Sequence, residues 1–157
     1  PTSDCGSGDQ YVYDRKMNLV ENKMSNGFTR VYNPPLSRYD FPLFPGKTWE
    51  ATSTYGLKEK GGALYRITTT GTVLGWERNI GHLDGVLVDG LKLRIETKEV
   101  AIDYNSVDIA VNMEWYVPAA GRSVVIRTVE RRPSDGGHAE RTHVLTNFVP
   151  ATSTIME

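Results

Sequence analysis

Three histidines, His82, His138 and His143, are the side chains best suited by type to acid–base work or metal binding. None stands in a helical HExxH pair or beside paired cysteines, the spacings that turn two ligands toward one ion. His138 and His143 flank Glu140, but residues five apart in a strand face opposite sides and share a metal only across a bulge or turn. Neither a metal site nor a cofactor is expected. The single cysteine, Cys5, has no adjacent base, and no G-x-S-x-G elbow is present to raise a serine nucleophile. Gly71 to Gly75 lacks the P-loop lysine, and Gly6-Ser7-Gly8 precedes no strand-to-helix unit, so neither is expected to cradle phosphate. Carboxylate pairs such as Glu96 with Glu99, or Glu130 with Glu140, are of the type that serves as acid and base, but their neighbours Lys98, Arg131 and Arg141 suit a solvated rim. No catalytic residue is assigned.

Aromatic residues carry the remaining functional lead. Three Trp and eight Tyr in a β domain can line a groove for an apolar ligand or stack on sugar rings. Tyr65, Trp76, Tyr104 and Tyr116 are the candidate ligand-binding residues. The alternative is that they fill the core and cover the ends of a sheet.

The elements that must position these rings follow from period-two alternation. Val107, Ile109, Val111, Met113 and Trp115 alternate with Asp108, Ala110, Asn112 and Glu114, the pattern of a half-buried strand. Comparable segments run over 27–32, 48–55, 63–70, 72–77, 91–97, 100–104, 123–131 and 141–149, which predicts eight or nine strands. Turn chemistry at Lys60-Gly61-Gly62, Asp103 to Ser106 and Pro133 to Gly137 predicts antiparallel hairpins between neighbours. A short helix is expected over Asp14–Met24, with Met17, Val20 and Met24 on one face and Asp14 as N-cap. The segment 83–91 is open between a helical turn and strand, because Gly85 and Gly90 oppose a helix. The expected fold is therefore mainly β: an antiparallel curved sheet, sandwich or half-barrel, with at most one or two short helices.

At 157 residues one domain is the default. Residues 1–10 read as a flexible leader, 11–149 as a single β domain and 150–157 as a tail. Eighteen basic residues against nineteen acidic ones generate no field that would draw the chain to nucleic acid, which is not an expected partner. A lone cysteine is compatible with the cytosol or with a bacterial periplasm.

Four segments occur in an order that resembles a family of uncharacterised exported bacterial proteins, often lipoproteins. They are Phe41-Pro42-Leu43-Phe44-Pro45-Gly46-Lys47-Thr48-Trp49, Val73-Leu74-Gly75-Trp76-Glu77, Gly85 to Leu93, and Trp115-Tyr116-Val117-Pro118 continuing to Val124. The resemblance implies a curved β-sheet domain of unknown function in the periplasm or at the outer membrane, and it brings no catalytic residues. A natural precursor with an export leader before Pro1, and a membrane tether upstream of this chain, is the matching expectation. Without any ligand, Trp49 reads as a core anchor after a Pro-held extended segment, and Pro118 as the stop of a strand.

Two function classes remain. One is a non-catalytic cell-envelope module that binds a lipid, glycan or protein partner through a concave sheet face. The other is a hydrolase or lyase whose site is assembled from distant groups, which requires His82 or His143 beside a carboxylate in a deep polar pocket.

Overall fold

The computed structural model describes residues 2–4, 8–103, 105–132 and 141–151. It is a β protein whose strands form one antiparallel sheet curved into a half-barrel. The strands are β1 (Thr2–Asp4), β2 (Gln10–Tyr13), β3 (Asn18–Lys23), β4 (Thr29–Ser37), β5 (Thr48–Leu57) and β6 (Tyr65–Leu83). They continue as β7 (Val86–Ala101), β8 (Val107–Val117), β9 (Arg122–Arg132), β10 (Thr142–Val144) and β11 (Phe148–Pro150). The first ten lie side by side in chain order, and β11 returns to pair with β6. Pairing thus begins inside the segment read as a leader, where Thr2–Asp4 lies against Val12 to Gln10.

The expected helix at Asp14–Met24 is a hairpin turn followed by β3. Asp14 does cap backbone amides, as its type suggests, but those of Lys16 at 2.8 Å and Asn18 at 2.9 Å, which closes a turn. Chiefly the Asn18 amide holds its carboxyl below the usual range. Met17 adopts φ 63°, a left-handed geometry that no helix continues through. The segment 83–91 resolves as strand around a two-residue hairpin turn. Asp84 and Gly85, at φ 49° and 80°, give the doubly left-handed turn that matches strand twist. Segments read as separate strands merge: 63–70 with 72–77 into β6, and 91–97 with 100–104 into β7. Register shifts at Val73/Gly75 and Glu77/Gly81 let β6 bend without ending. The only helix among the described residues is one 3-10 turn, Pro118–Ala120, placed where Pro118 stops β8. The predicted turn at Pro133 to Gly137 lies outside the described residues.

Because β5 pairs with β6 only over Tyr65 to Thr72, the other end of β6 is left for β11, whose Phe148, Val149 and Pro150 oppose Leu83, His82 and Gly81. A turn closed by the Phe148 amide on the Leu145 carbonyl (2.9 Å) joins β11 to β10. There β11 packs on β6 to β9 through an apolar cluster of Ile80, Trp115, Val117, Val124, Val125 and Phe148. The opposite face of the same strands carries a second cluster, Tyr39, Trp49, Val73, Leu91, Leu93, Ile95 and Tyr116. Buried on both faces, the end of β8 is apolar-packed at Trp115, Tyr116 and Val117 alike.

Candidate functional site on the concave face

Directly paired residues of an antiparallel ladder point to the same side, so the register defines rows of side chains across the concave face. One end is a tyrosine row, Tyr32–Tyr55–Tyr65, continued by Ala101. Next come Ser53, Ile67, Glu99 and Asp108, and then the short side chains Ala51, Thr69, Thr97 and Ala110. A fourth row holds Trp49, Gly71, Ile95 and Asn112, a fifth Val73, Leu93 and Glu114, and a sixth Trp76, Leu91, Tyr116 and Ser123.

In the tyrosine row the rings of Tyr55 and Tyr65 stack at 5.0 Å, and Tyr32 tilts against Tyr55 at 5.3 Å. The Arg30 guanidinium sits 5.1 Å from the Tyr55 ring centre, a cation–π contact. The Tyr55 hydroxyl donates to the Glu99 carboxylate. Burial, with the Glu99 charge beside it, raises the Tyr55 phenol above its ordinary range. Burial likewise pushes the Tyr32 phenol up to about 12. Tyr65 and Glu99 keep part of their surface in water, as do Thr97, Ala110 and Asn112 further along.

At the other end the segment 38–47, between β4 and β5, crosses the concave face as a strap. Tyr39 lies two residues beyond β4 yet its hydroxyl is 2.8 Å from Ser123 Oγ on β9. On a flat sheet β4 and β9 stand about 24 Å apart, further than two residues and a phenol reach, so only a strongly curled sheet permits the contact. The strap meets Glu114, which is wholly buried. Arg38 Nη2 donates to Glu114 Oε1, while the Tyr39 hydroxyl and Ser123 Oγ each donate to Oε2 at 2.9 Å. The carboxylate is thus paired and saturated, the condition under which a buried charge persists. Burial opposes the Arg38 charge, but Glu114 outweighs it and the guanidinium is held above its ordinary value. Burial and the same carboxylate raise the Tyr39 phenol. Tyr39 and Phe41 also pack on Tyr116, with ring centres 5.5 and 5.8 Å away.

Between these two ends lie the short side chains and two polar atoms without a hydrogen-bond partner among the described residues: Trp49 Nε1 and Asn112 Oδ1, both buried. Leaving such an atom unsatisfied costs about 1–3 kcal/mol. Trp49 fits there because Gly71 has no side chain: a Cβ on Gly71 would fall inside the indole, against Cε2 and Cζ2.

The sequence candidates separate. Tyr65 is in the tyrosine row, whereas Trp76 and Tyr116 share the row at the strap end; eleven residues of strand put Tyr65 and Trp76 about 36 Å apart along β6. Tyr116 is buried against Tyr39 and Phe41, and Trp76 is 55% exposed. Tyr104 lies outside the described residues. His82 is exposed on the opposite end of β6 between Val149 and Leu87, and His143 is exposed on β10 beside Ile126. His138 and Cys5 lie outside the described residues. Among the described residues no group of three His, Cys, Asp or Glu side chains could hold a metal ion. Glu96 and Glu99 do not act as a pair, since one contacts Arg94 at 3.4 Å and the other accepts from Tyr55.

Alternation missed Glu114, which holds the strap, and misplaced Asn112. Glu114 reads as a solvent-side position of β8, and Asn112 likewise; the one signal pointing to Glu114 is the charged and aromatic Arg38-Tyr39 pair heading the Pro-rich strap. A recess of about 270 Å³ at Val31, Gly56, Leu57, Lys58, Gly61 and Gly62 lies outside these rows and gathers no set of polar side chains. No helix of the described residues is long and apolar enough to cross a membrane. No protein family, curated protein or solved structure matches this chain.

Proposed function

We propose that the chain is a non-catalytic binding module of the bacterial cell envelope, with its ligand seat on the concave face between the tyrosine row and the strap. The observation that carries this reading is the division of labour along that face. Its ionisable groups are tied to one another at the two ends, Arg38 with Glu114 and Tyr55 with Glu99, while between them Ala51, Thr97 and Ala110 are short and partly exposed. A catalytic acid or base has to be poised toward a substrate, and a saturated carboxylate is not. A ring edge, short hydroxyls and a curved floor are the usual furnishings of a ligand seat.

Thermal-shift titration of the purified chain against neutral saccharides, long-chain fatty acids and short peptides tests the reading. A ligand that stabilises the wild type should lose that effect in Tyr65→Ala and in Thr97→Arg, the latter filling the seat. A ligand whose effect survives both substitutions places binding elsewhere and refutes it. The envelope assignment is tested by fractionating cells that express the full-length gene: recovery in the cytosol at uncleaved mass refutes export.

A further inference from the structure

We infer that the outer edge of β6 between Leu74 and Asn79 is a strand-docking slot, and that its occupant is this chain's own segment 152–157.

The slot is defined by what stops on either side of it. Successive residues of an antiparallel strand bond alternately to its two sides, so a strand inside a sheet needs two neighbours. One neighbour of β6 is β7, but the other changes along its length. β5 covers β6 from Tyr65 to Thr72, and the strap extends that cover by one residue. There the Gly46 amide donates to the Val73 carbonyl and the Val73 amide to the Lys47 carbonyl, both at 2.9 Å. From the other end β11 covers Leu83 to Gly81, and the Ala151 amide adds a bond to the Ile80 carbonyl at 2.7 Å. Between Val73 and Ile80 no backbone group among the described residues bonds this edge. The Asn79 amide is engaged by Asp89 Oδ1 on β7 at 2.8 Å. An open stretch of edge is a row of donors and acceptors that templates one more strand.

Three observations select the occupant. First, direction: β11 is antiparallel to β6 and the Ala151 bond extends its ladder, so a chain that keeps this course past Ala151 runs along β6 toward Leu74. Second, length: because β6 is bulged, it advances from Gly81 to Gly75 only as far as β7 does from Val88 to Lys92. The slot is thus about four extended residues, or 13 Å, long, and 152–157 is sufficient to fill it. Third, chemistry: the segment has no proline, and its Thr-Ser-Thr start is followed by Ile155 and Met156. These two arrive at the far end of the slot, where Leu74 and Trp76 are exposed and Phe44 is exposed in the adjoining turn of the strap. Apolar groups on both sides leave water together. Tethered at Ala151, the segment meets the edge at an effective concentration on the order of millimolar. With the slot filled, β6 is paired on both sides along its whole length.

The test is backbone NMR and amide hydrogen exchange on the full chain and on the single variants Thr154→Pro and Ile155→Pro. Adjacent residues alternate in donating to a given neighbour and proline cannot donate, so one of the two variants removes a ladder bond. Cross-strand nuclear Overhauser contacts between 153–156 and 74–78 are expected in the wild type. Amides of 74–78 that face away from β7 should exchange at least tenfold faster in one variant, and acrylamide should quench Trp76, the exposed tryptophan, more strongly there. Four results overturn the inference. Edge amides that exchange at the wild-type rate in both variants show that the segment does not cover them. Contacts found only between differently labelled copies in a mixed sample make the occupant a second chain. Contacts from 152–157 to the concave face place the segment elsewhere. Protection lost equally at Val149 means that the proline acts through β11 and not through the slot.

Discussion

Replacing Glu114 with glutamine removes one charge and almost no volume, which isolates the electrostatic role of the strap contact. In the wild type one carboxylate oxygen accepts from Arg38 and the other from Tyr39 and Ser123. In Glu114→Gln the amide nitrogen should take the second position, because the hydroxyls of Tyr39 and Ser123 can turn and accept, whereas a guanidinium cannot. The bond from Arg38 survives as a neutral one, and the arginine loses its counter-charge. Breaking a buried pair costs about 3–5 kcal/mol, but the Arg38 side chain is 32% exposed and water partly replaces the lost carboxylate. The expected loss is therefore about 2–3 kcal/mol. For a chain of this length that corresponds to a fall in Tm of about 4–12 °C. Arg38→Met should cost more, about 3–5 kcal/mol, because it strands the partner that has no solvent at all. Arg38→Met with Glu114→Leu should recover part of the loss of Arg38→Met alone, since two apolar groups leave no charge behind. Urea unfolding of wild type, Arg38→Met, Glu114→Leu and the double variant, with m-values compared, gives the cycle, and Glu114→Gln is measured beside it. A Glu114→Gln variant within about 0.5 kcal/mol of wild type, or additive single substitutions, would refute the account of the strap as an electrostatic clasp.

Three further outcomes follow from the geometry. Stability should fall as pH rises from about 10 to 12, because Tyr32, Tyr39 and Tyr55 all have folded-state values above that of a free phenol, so the folded form holds protons that the unfolded form gives up. Tyr32 alone, pushed up to about 12 from 10.0, contributes about 3 kcal/mol that is fully present below pH 10 and lost through that window; phenolate absorbance rising in step for every tyrosine, before unfolding, would contradict it. Gly71→Ala should destabilise by about 1–3 kcal/mol and change Trp49 emission, as the added methyl occupies the indole's place; unchanged emission in a calorimetrically normal variant contradicts that packing. Phe148→Ala should cost about 3–5 kcal/mol by emptying the cluster under β11, read by denaturant unfolding, and a loss under about 1 kcal/mol would mean that β11 is not docked on β6.

Strand alternation was a good guide where one face meets solvent and a poor one where both are buried. The segments 48–55 and 123–131 have nearly the bounds of β5 and β9, because their patterns and flanking turns agree. The helix expected at Asp14–Met24 failed because three apolar residues at helical spacing also suit a hairpin. Only the left-handed Met17 decides between them, and backbone angle is not written in residue type. The length of β6 and β7 was hidden by glycines and charged residues that look like breaks: bulges absorb the glycines of β6, and Lys98 and Glu99 of β7 pair in unbroken register. Glu114 was illegible in principle. A carboxylate on the alternate face of a strand looks solvated until a segment more than seventy residues earlier in the chain folds over it. The same holds for Asn112, whose position became informative only when register set it in a row with Trp49.

The strand order has a consequence for how the chain reaches this shape. Ten strands in chain order can zip up neighbour by neighbour, each ladder closing a short loop at small entropic cost. Two contacts cannot form that way: β11 on β6, and Tyr39 on Ser123, which are 84 positions apart. Each needs the strands it bridges to be paired already, and each then fixes them from its own face. Hydrogen exchange during refolding should therefore protect the amides of β7 and β8 before those of Val149 and Ala151. Late closure makes the two fasteners a record of completion: until both are made, the strands are paired but the concave face has no fixed width.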